Sequence, residues 1–369
     1  MSDICLCTIV SKNYLPYARV LMKSFRQFHP DIKTFVLLAD KIDGFFDPSQ
    51  ENFEVIEAES LGIKDFDSFT FKYNIVEFNT AVKPFFMEFL LLQRGFTKAI
   101  YLDPDIMIFN ELTQIFTLLD THSVVLTPHI TLPLPDDGCS PKDIDILKVG
   151  CFNLGFIGLS KSESTSRLLS WWKERLYDAC LQGPISGYAV DQGWMSLVPC
   201  LFSNYYILKE PGYNIAYWNL HERTVTKKGE NFLVNNTPLY FFHFSGINVR
   251  SLERISKYQN RFTLTHFPVL KDLLEIYKDY LLQNGINDTL KWPYRYGFYK
   301  NGSHISDMAR GIFWGLGVGS KEFGNPFENF CHKFFHWRNV HRLFTERFLR
   351  AMLDKLSIRA WNFMLKRKG

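Results

Sequence analysis

Apolar positions along the first hundred residues switch between two spacings. Ile4 to Val10 is a nearly unbroken apolar run of strand length that ends at Ser11-Lys12-Asn13. Beyond it Tyr14, Ala18, Leu21, Met22 and Phe25 recur at helical spacing. Thr34 to Leu38 and Phe53 to Ile56 read as further strands, and Lys98 to Leu102 as another buried one. Between them Thr80 to Leu92 reads as a helix with Pro84 early, where proline is tolerated. Strands that are apolar throughout, alternating with helices, predict a parallel sheet covered on both faces. Such a sheet places its ligands beyond the carboxyl ends of the strands.

Later in the chain, Leu132 to Gly138 breaks the pattern and reads as a loop near the mouth of a site. Gly150 to Leu159 resumes a glycine-punctuated strand, and a long helix is predicted from about Ser162 to Leu181. Past Pro268 the residues Leu270, Leu273, Leu274, Tyr277 and Leu281 share one helical face. No internal repeat or low-complexity stretch interrupts the chain. The expected division is a catalytic domain over 1–305 and a basic, aromatic, helical C-terminal extension over 306–369.

Composition sharpens this picture in three ways. Hydrophobic residues make up 46% of 369, enough for a large core, which argues against disorder. Aromatics reach 16%, about double an ordinary share, so some are candidates for stacking on rings or lying at a membrane surface. Of the net charge of +4, the segment from Lys321 onward carries +7 (11 Lys/Arg against 4 Asp/Glu), leaving the rest at −3. That tail interleaves Phe327, Phe330, Phe334, Trp337, Phe344 and Trp361 with Arg338, Arg342, Arg347 and Arg350, a pattern suited to anionic lipid or to capping the domain. No nucleic-acid recognition module accompanies it. Seven scattered cysteines with no C-x-x-C pair fit neither a disulfide framework nor a zinc site. With no signal peptide and no apolar run near the roughly 20 residues of a spanning helix, the expected location is cytoplasmic, with a peripheral place on the inner face of a membrane as the alternative.

The sharpest chemical signal is Leu102-Asp103-Pro-Asp105, two carboxylates two apart at the end of a buried strand. Hard oxygen ligands at that place suit Mg²⁺ or Mn²⁺, although a solvated turn looks the same. Haloacid-dehalogenase-like phosphatases also carry Asp-x-Asp after a strand. They expect Thr or Val two past the second Asp, where Met107 stands, and a later Gly-Asp-x-x-x-Asp that is absent.

Over residues 4 to 250 the motif order resembles that of the GT-A-fold glycosyltransferases of bacteria, nearest to glycosyltransferase family 8. Thr8-Ile-Val10-Ser11 with Asn13 and Tyr14 matches the nucleotide-binding start, and Lys83 the basic residue on the helix before Asp-x-Asp. Asn153-Leu-Gly155 matches an Asn-x-Gly strand, Asp191-Gln192 an Asp-Gln pair, and His243-Phe-Ser-Gly246 a His-x-x-Gly. Where that family continues with Lys-Pro-Trp, this chain has Ile247-Asn-Val-Arg250.

The resemblance implies a Rossmann-like GT-A catalytic domain with a helical C-terminal extension. It implies Mn²⁺ or Mg²⁺ held by Asp103, Asp105 and His243, and a nucleoside diphosphate sugar, UDP-sugar favoured, bound by Thr8, Val10, Ser11, Tyr14, Lys83, Leu102, Asp103, Asn153, Gly155, Gly246 and Arg250. Asp191 and Gln192 would sit at the reacting carbon. A glycan or glycolipid acceptor would lie toward Asp136, Asp137, Asn214 and Trp218, in surface polysaccharide synthesis. Asp191, Asp136 and Asp137 are the candidate bases if the reaction inverts, and none is needed if it retains. A carbohydrate-binding scaffold on a transferase fold is the non-catalytic alternative; intact acidic ligands argue against it.

Overall fold

The computed structural model describes residues 3–183, 189–317 and 324–328. Strand β1 (Ile4–Val10) leads into helix α1 (Leu15–Phe28), followed by β2 (Lys33–Leu38) and β3 (Glu54–Glu57). Then come the short helices α2 (Phe66–Lys72), α3 (Ile75–Ala81) and α4 (Lys83–Glu88) before β4 (Lys98–Leu102) and β5 (Ile106–Ile108). The single helix expected over Thr80 to Leu92 is thus broken. Asn74 starts α3 with a capping box, its side chain accepting from the Val76 and Glu77 N–H groups while Glu77 accepts from the Asn74 N–H. Pro84 has no N–H to offer the Thr80 carbonyl, so α3 stops at Ala81 and α4 begins at Lys83. Phe89–Gln93 ends the segment as a π-helical turn.

Next are α5 (Thr113–Thr121), β6 (Val124–Pro128), α6 (Asp143–Val149), β7 (Phe152–Ser160) and α7 (Glu163–Ala179), the last capped by Ser162. Two short helices, α8 (Gln192–Met195) and α9 (Val198–Leu201), precede β8 (Tyr205–Ile207). The main sheet runs β3-β2-β1-β4-β7-β6-β8. Its β3-β2-β1-β4 half is parallel, the Rossmann-like arrangement expected, but β7 lies antiparallel to both β4 and β6. Both faces are covered: β1 sends Cys5, Cys7 and Ile9 into one core and Leu6 and Val10 into the other.

A small sheet of β9 (Val225–Lys228), β10 (Asn231–Val234) and β11 (Thr237–Pro238) follows, and β12 (Phe241–His243) pairs with β5. Helix α10 (Pro268–Gln283) buries the five residues read from the sequence: Leu270, Leu273, Leu274, Tyr277 and Leu281. After α11 (Ile286–Thr289) comes α12 (Asp307–Leu316), which packs on α2. Phe313, Trp314 and Phe327 join the core that contains Cys7 and Phe71. These contacts cross the boundary expected at residue 305, and the basic tail that motivated it lies outside the described residues. Among the described residues no helix is long and apolar enough to cross a membrane.

Candidate active site

Beyond β4 the chain turns sharply: the Asp103 N–H donates to the Gly155 carbonyl (2.8 Å) and the Ile106 N–H to the Asp103 carbonyl (3.2 Å). β5 then pairs with β12 so that His243 stands opposite Ile106, and the Phe244 N–H donates to the Asp105 carbonyl. This ladder brings a histidine 138 positions away in sequence next to the two acids. Nε2 of His243 lies 3.0 Å from Asp105 Oδ1 and 3.8 Å from Asp103 Oδ2. The three side chains offer one ligand atom each, all within 4.8 Å of one another.

Hydrogen bonding fixes how His243 is presented. Asn214 donates through Nδ2 to Thr127 Oγ1 (2.8 Å) and Asn153 Oδ1 (3.1 Å), so its Oδ1 faces His243 Nδ1 at 3.3 Å. Nδ1 therefore carries the hydrogen, and Nε2 is left for the carboxylates or a cation. Burial resists charge on His243, yet Asp105 and Asp103 together raise its pKa above the ordinary 6.5. Glycine is required at 155 because a Cβ there would lie 2.4 Å from the imidazole Cε1.

Asp103, Asp105 and His243 line a cleft of about 550 Å³ together with Lys83, His129, Asp145, Asn153, Asp191, Gln192, Trp218 and Tyr258. Lys83 and Asp191 form a buried ion pair at 2.7 Å, and Lys83 also donates to the Leu154 carbonyl (3.0 Å). Burial raises the Asp191 carboxyl pKa, with Lys83 pulling against it. The lysine expected to reach donor phosphates is therefore engaged by Asp191.

The side chains of Asn153 and Gln192 are likewise hydrogen-bonded within the protein. Asn153 accepts from the Gly155 N–H (3.1 Å) and Asn214, and donates to Gln192 Oε1 and His129 Nε2, both 3.2 Å. Gln192 Oε1 also accepts from the Leu154 N–H (3.0 Å). Trp218, expected on the acceptor side, is buried edge-on between His243 and His129 at 5.2 and 5.3 Å.

The residues of the nucleotide-binding start are not part of the cleft lining. Thr8, Val10 and Leu102 are buried in their strands; the Val10 carbonyl accepts from the Ala39 N–H, and the Ser11 hydroxyl donates to Asn13. Tyr14 is exposed, one face stacked on Tyr17 at 4.6 Å. Gly246 has φ 75°, and a Cβ there would strike Ser256 Oγ and the Tyr258 ring, so it lets that segment close over the cleft. Arg250 is exposed and outside the cleft lining.

Asp136 and Asp137 do not line the cleft either. Asp137 is gripped by Arg261, at 2.7 and 3.0 Å, which holds its carboxyl well below the usual range and makes it a weak base. Sequence reasoning missed His129, Tyr101, Asp145 and Tyr258. His129 alone carried a signal, as a polar residue just past the carboxyl end of a sheet strand.

No protein-family model matches the chain. Two Bacillus subtilis (strain 168) proteins are similar in sequence. The uncharacterized protein YfnF is 27% identical over 291 residues, 75% of this chain and 92% of YfnF. The uncharacterized protein YfnD is 27% identical over 153 residues, 40% of this chain and 46% of YfnD. Similar solved structures include the galactosyltransferase LgtC in complex with donor and acceptor sugar analogs, at TM-score 0.44 and 16% identity over 75% of this chain and 95% of LgtC. The glycosyltransferase GlyE of Streptococcus pneumoniae TIGR4 aligns at TM-score 0.43 and 15% identity, covering 81% of this chain and 67% of GlyE.

Proposed function

We propose that this chain is a metal-dependent glycosyltransferase that moves a sugar from a nucleoside diphosphate donor, UDP-sugar favoured, to a glycan or glycolipid acceptor. The observation that carries the reading is the convergence of Asp103, Asp105 and His243 at the carboxyl end of β4, in one cleft with the buried Lys83–Asp191 pair. Two carboxylates and an imidazole of fixed tautomer form an oxygen-rich donor set that fits Mn²⁺ or Mg²⁺. Bound there, such an ion supplies charge neutralisation for a departing nucleoside diphosphate. The chain's own residues do the rest: Asn214 orients His243, Lys83 holds one oxygen of Asp191 and so aims the other at the donor sugar, and Tyr14 offers its open face to the base. Of the three candidate bases, Asp191 is the one that lines the cleft, which makes it the member of that set available to an inverting reaction.

The test is thermal shift and hydrolysis across UDP, GDP, CDP and dTDP sugars, with Mn²⁺ and with chelator. A response to one donor that requires Mn²⁺ and disappears in the Asp103→Ala, Asp105→Ala double variant is expected. Silence across the panel would overturn the transferase reading.

A further inference from the structure

Asp103 presents its two oxygens differently. Tyr101 sits two residues earlier on β4, hence on the same side of the strand. Its ring is buried in the core that also holds Cys7 and Met87, and the Lys83 ammonium lies over its face at 4.3 Å. The hydroxyl donates to Asp103 Oδ1 at 2.6 Å, whereas Oδ2 faces His243. A short O–H···O⁻ bond from a ring clamped on both sides is among the stronger neutral-to-charged contacts a protein makes. It commits one of the two carboxylate oxygens.

We propose that Tyr101 is a positioning residue that leaves Asp103 a single ligating oxygen and thereby sets which cation the site prefers; the inference rests on the metal reading above. With Tyr101 in place Asp103 offers one free oxygen, beside the Asp105 carboxylate and Nε2 of His243. Such a sparse set suits a small ion that keeps waters or substrate oxygens in its remaining positions. Ca²⁺ favours six to eight oxygens and readily takes a carboxylate through both. Freeing Asp103 Oδ1 should therefore cost Mn²⁺ its oriented ligand while giving Ca²⁺ an additional one.

The experiment is calorimetric titration of Mn²⁺ and of Ca²⁺ into the full chain and into Tyr101→Phe and Asp103→Ala variants, with metal-free melting curves alongside. Phenylalanine keeps the ring and its contact with Lys83, so the metal-free protein should still melt cooperatively, lowered only by the loss of one hydrogen bond. Tyr101→Phe is expected to bind Mn²⁺ about tenfold or more weakly, the usual cost of losing a partner that orients a ligand, and to narrow the preference for Mn²⁺ over Ca²⁺. Because that ratio compares two ions on one folded protein, a general loss of stability does not move it. Wild-type affinity and preference in Tyr101→Phe, with binding lost in Asp103→Ala, would overturn the role of Tyr101 and leave the metal site standing. Equal Mn²⁺ binding by wild type and Asp103→Ala would overturn the metal reading and this inference with it.

Discussion

His129 and His243 both pack against Trp218, yet their surroundings shift them in opposite directions. Against burial, the carboxylates of Asp105 and Asp103 raise the His243 pKa, while His129 is buried with Asn153 Nδ2 donating to its Nε2, a contact only the neutral ring can accept. Burial, with His243 adding repulsion, lowers the His129 pKa from 6.5 to about 4. The sign of the linkage follows: the unfolded chain takes up a proton below 6.5 that the folded protein refuses until about 4. The contribution of this group is therefore whole above pH 6.5 and is lost as pH falls toward 4, about 3 kcal/mol over that window. In His129→Gln that part of the acid sensitivity should vanish. Urea midpoints measured from pH 7 to 4 check this: the wild-type curve should fall more steeply than the variant's, and parallel curves would show that His129 titrates normally.

At the scale of elements, the close approach of β12 to β7 makes a second prediction. In Gly155→Ala the new methyl would lie 2.4 and 2.6 Å from two atoms of His243, whose ring is held by Asn214 on one side and abuts Trp218 edge-on. With no room to yield, the cost should be about 1–3 kcal/mol of overpacking, and Mn²⁺ binding should weaken at least tenfold as the imidazole is displaced; an unchanged melting curve and metal titration would refute the steric argument. The elements themselves were largely legible. β1 and β4 have the predicted bounds, and the buried face of α10 is the predicted one, because apolar periodicity directly records burial. Asp103, Asp105 and His243 were legible because polar residues at the ends of apolar strands stand out. What the sequence did not reveal is how Asn153, Asn214 and Lys83 are held, because their partners Gln192, Asn153 and Asp191 lie 39, 61 and 108 positions away in sequence. The reversed direction of β7 was hidden because a strand buried on both faces has the same pattern whichever way it runs.

For the molecule as a whole, the question is where the folding unit ends. Arg310 on α12 is buried and donates to the carbonyls of Phe71, Tyr73 and Tyr296, groups that belong to α2 and to the segment after α11. Phe313 and Trp314 fill the core beside them. Ending the chain at Ile305 would strand three carbonyl acceptors, at about 1–3 kcal/mol each, and remove two core aromatics, at about 3–5 kcal/mol each. Losses of that size match or exceed the 5–15 kcal/mol that stabilises a typical domain. A chain of residues 1–305 should therefore show no cooperative thermal transition by circular dichroism, whereas one ended at Glu328 keeps all of these contacts and should melt cooperatively. If instead 1–305 unfolds at the same temperature as 1–328, α12 is an appendage and the boundary expected from the sequence was rightly placed.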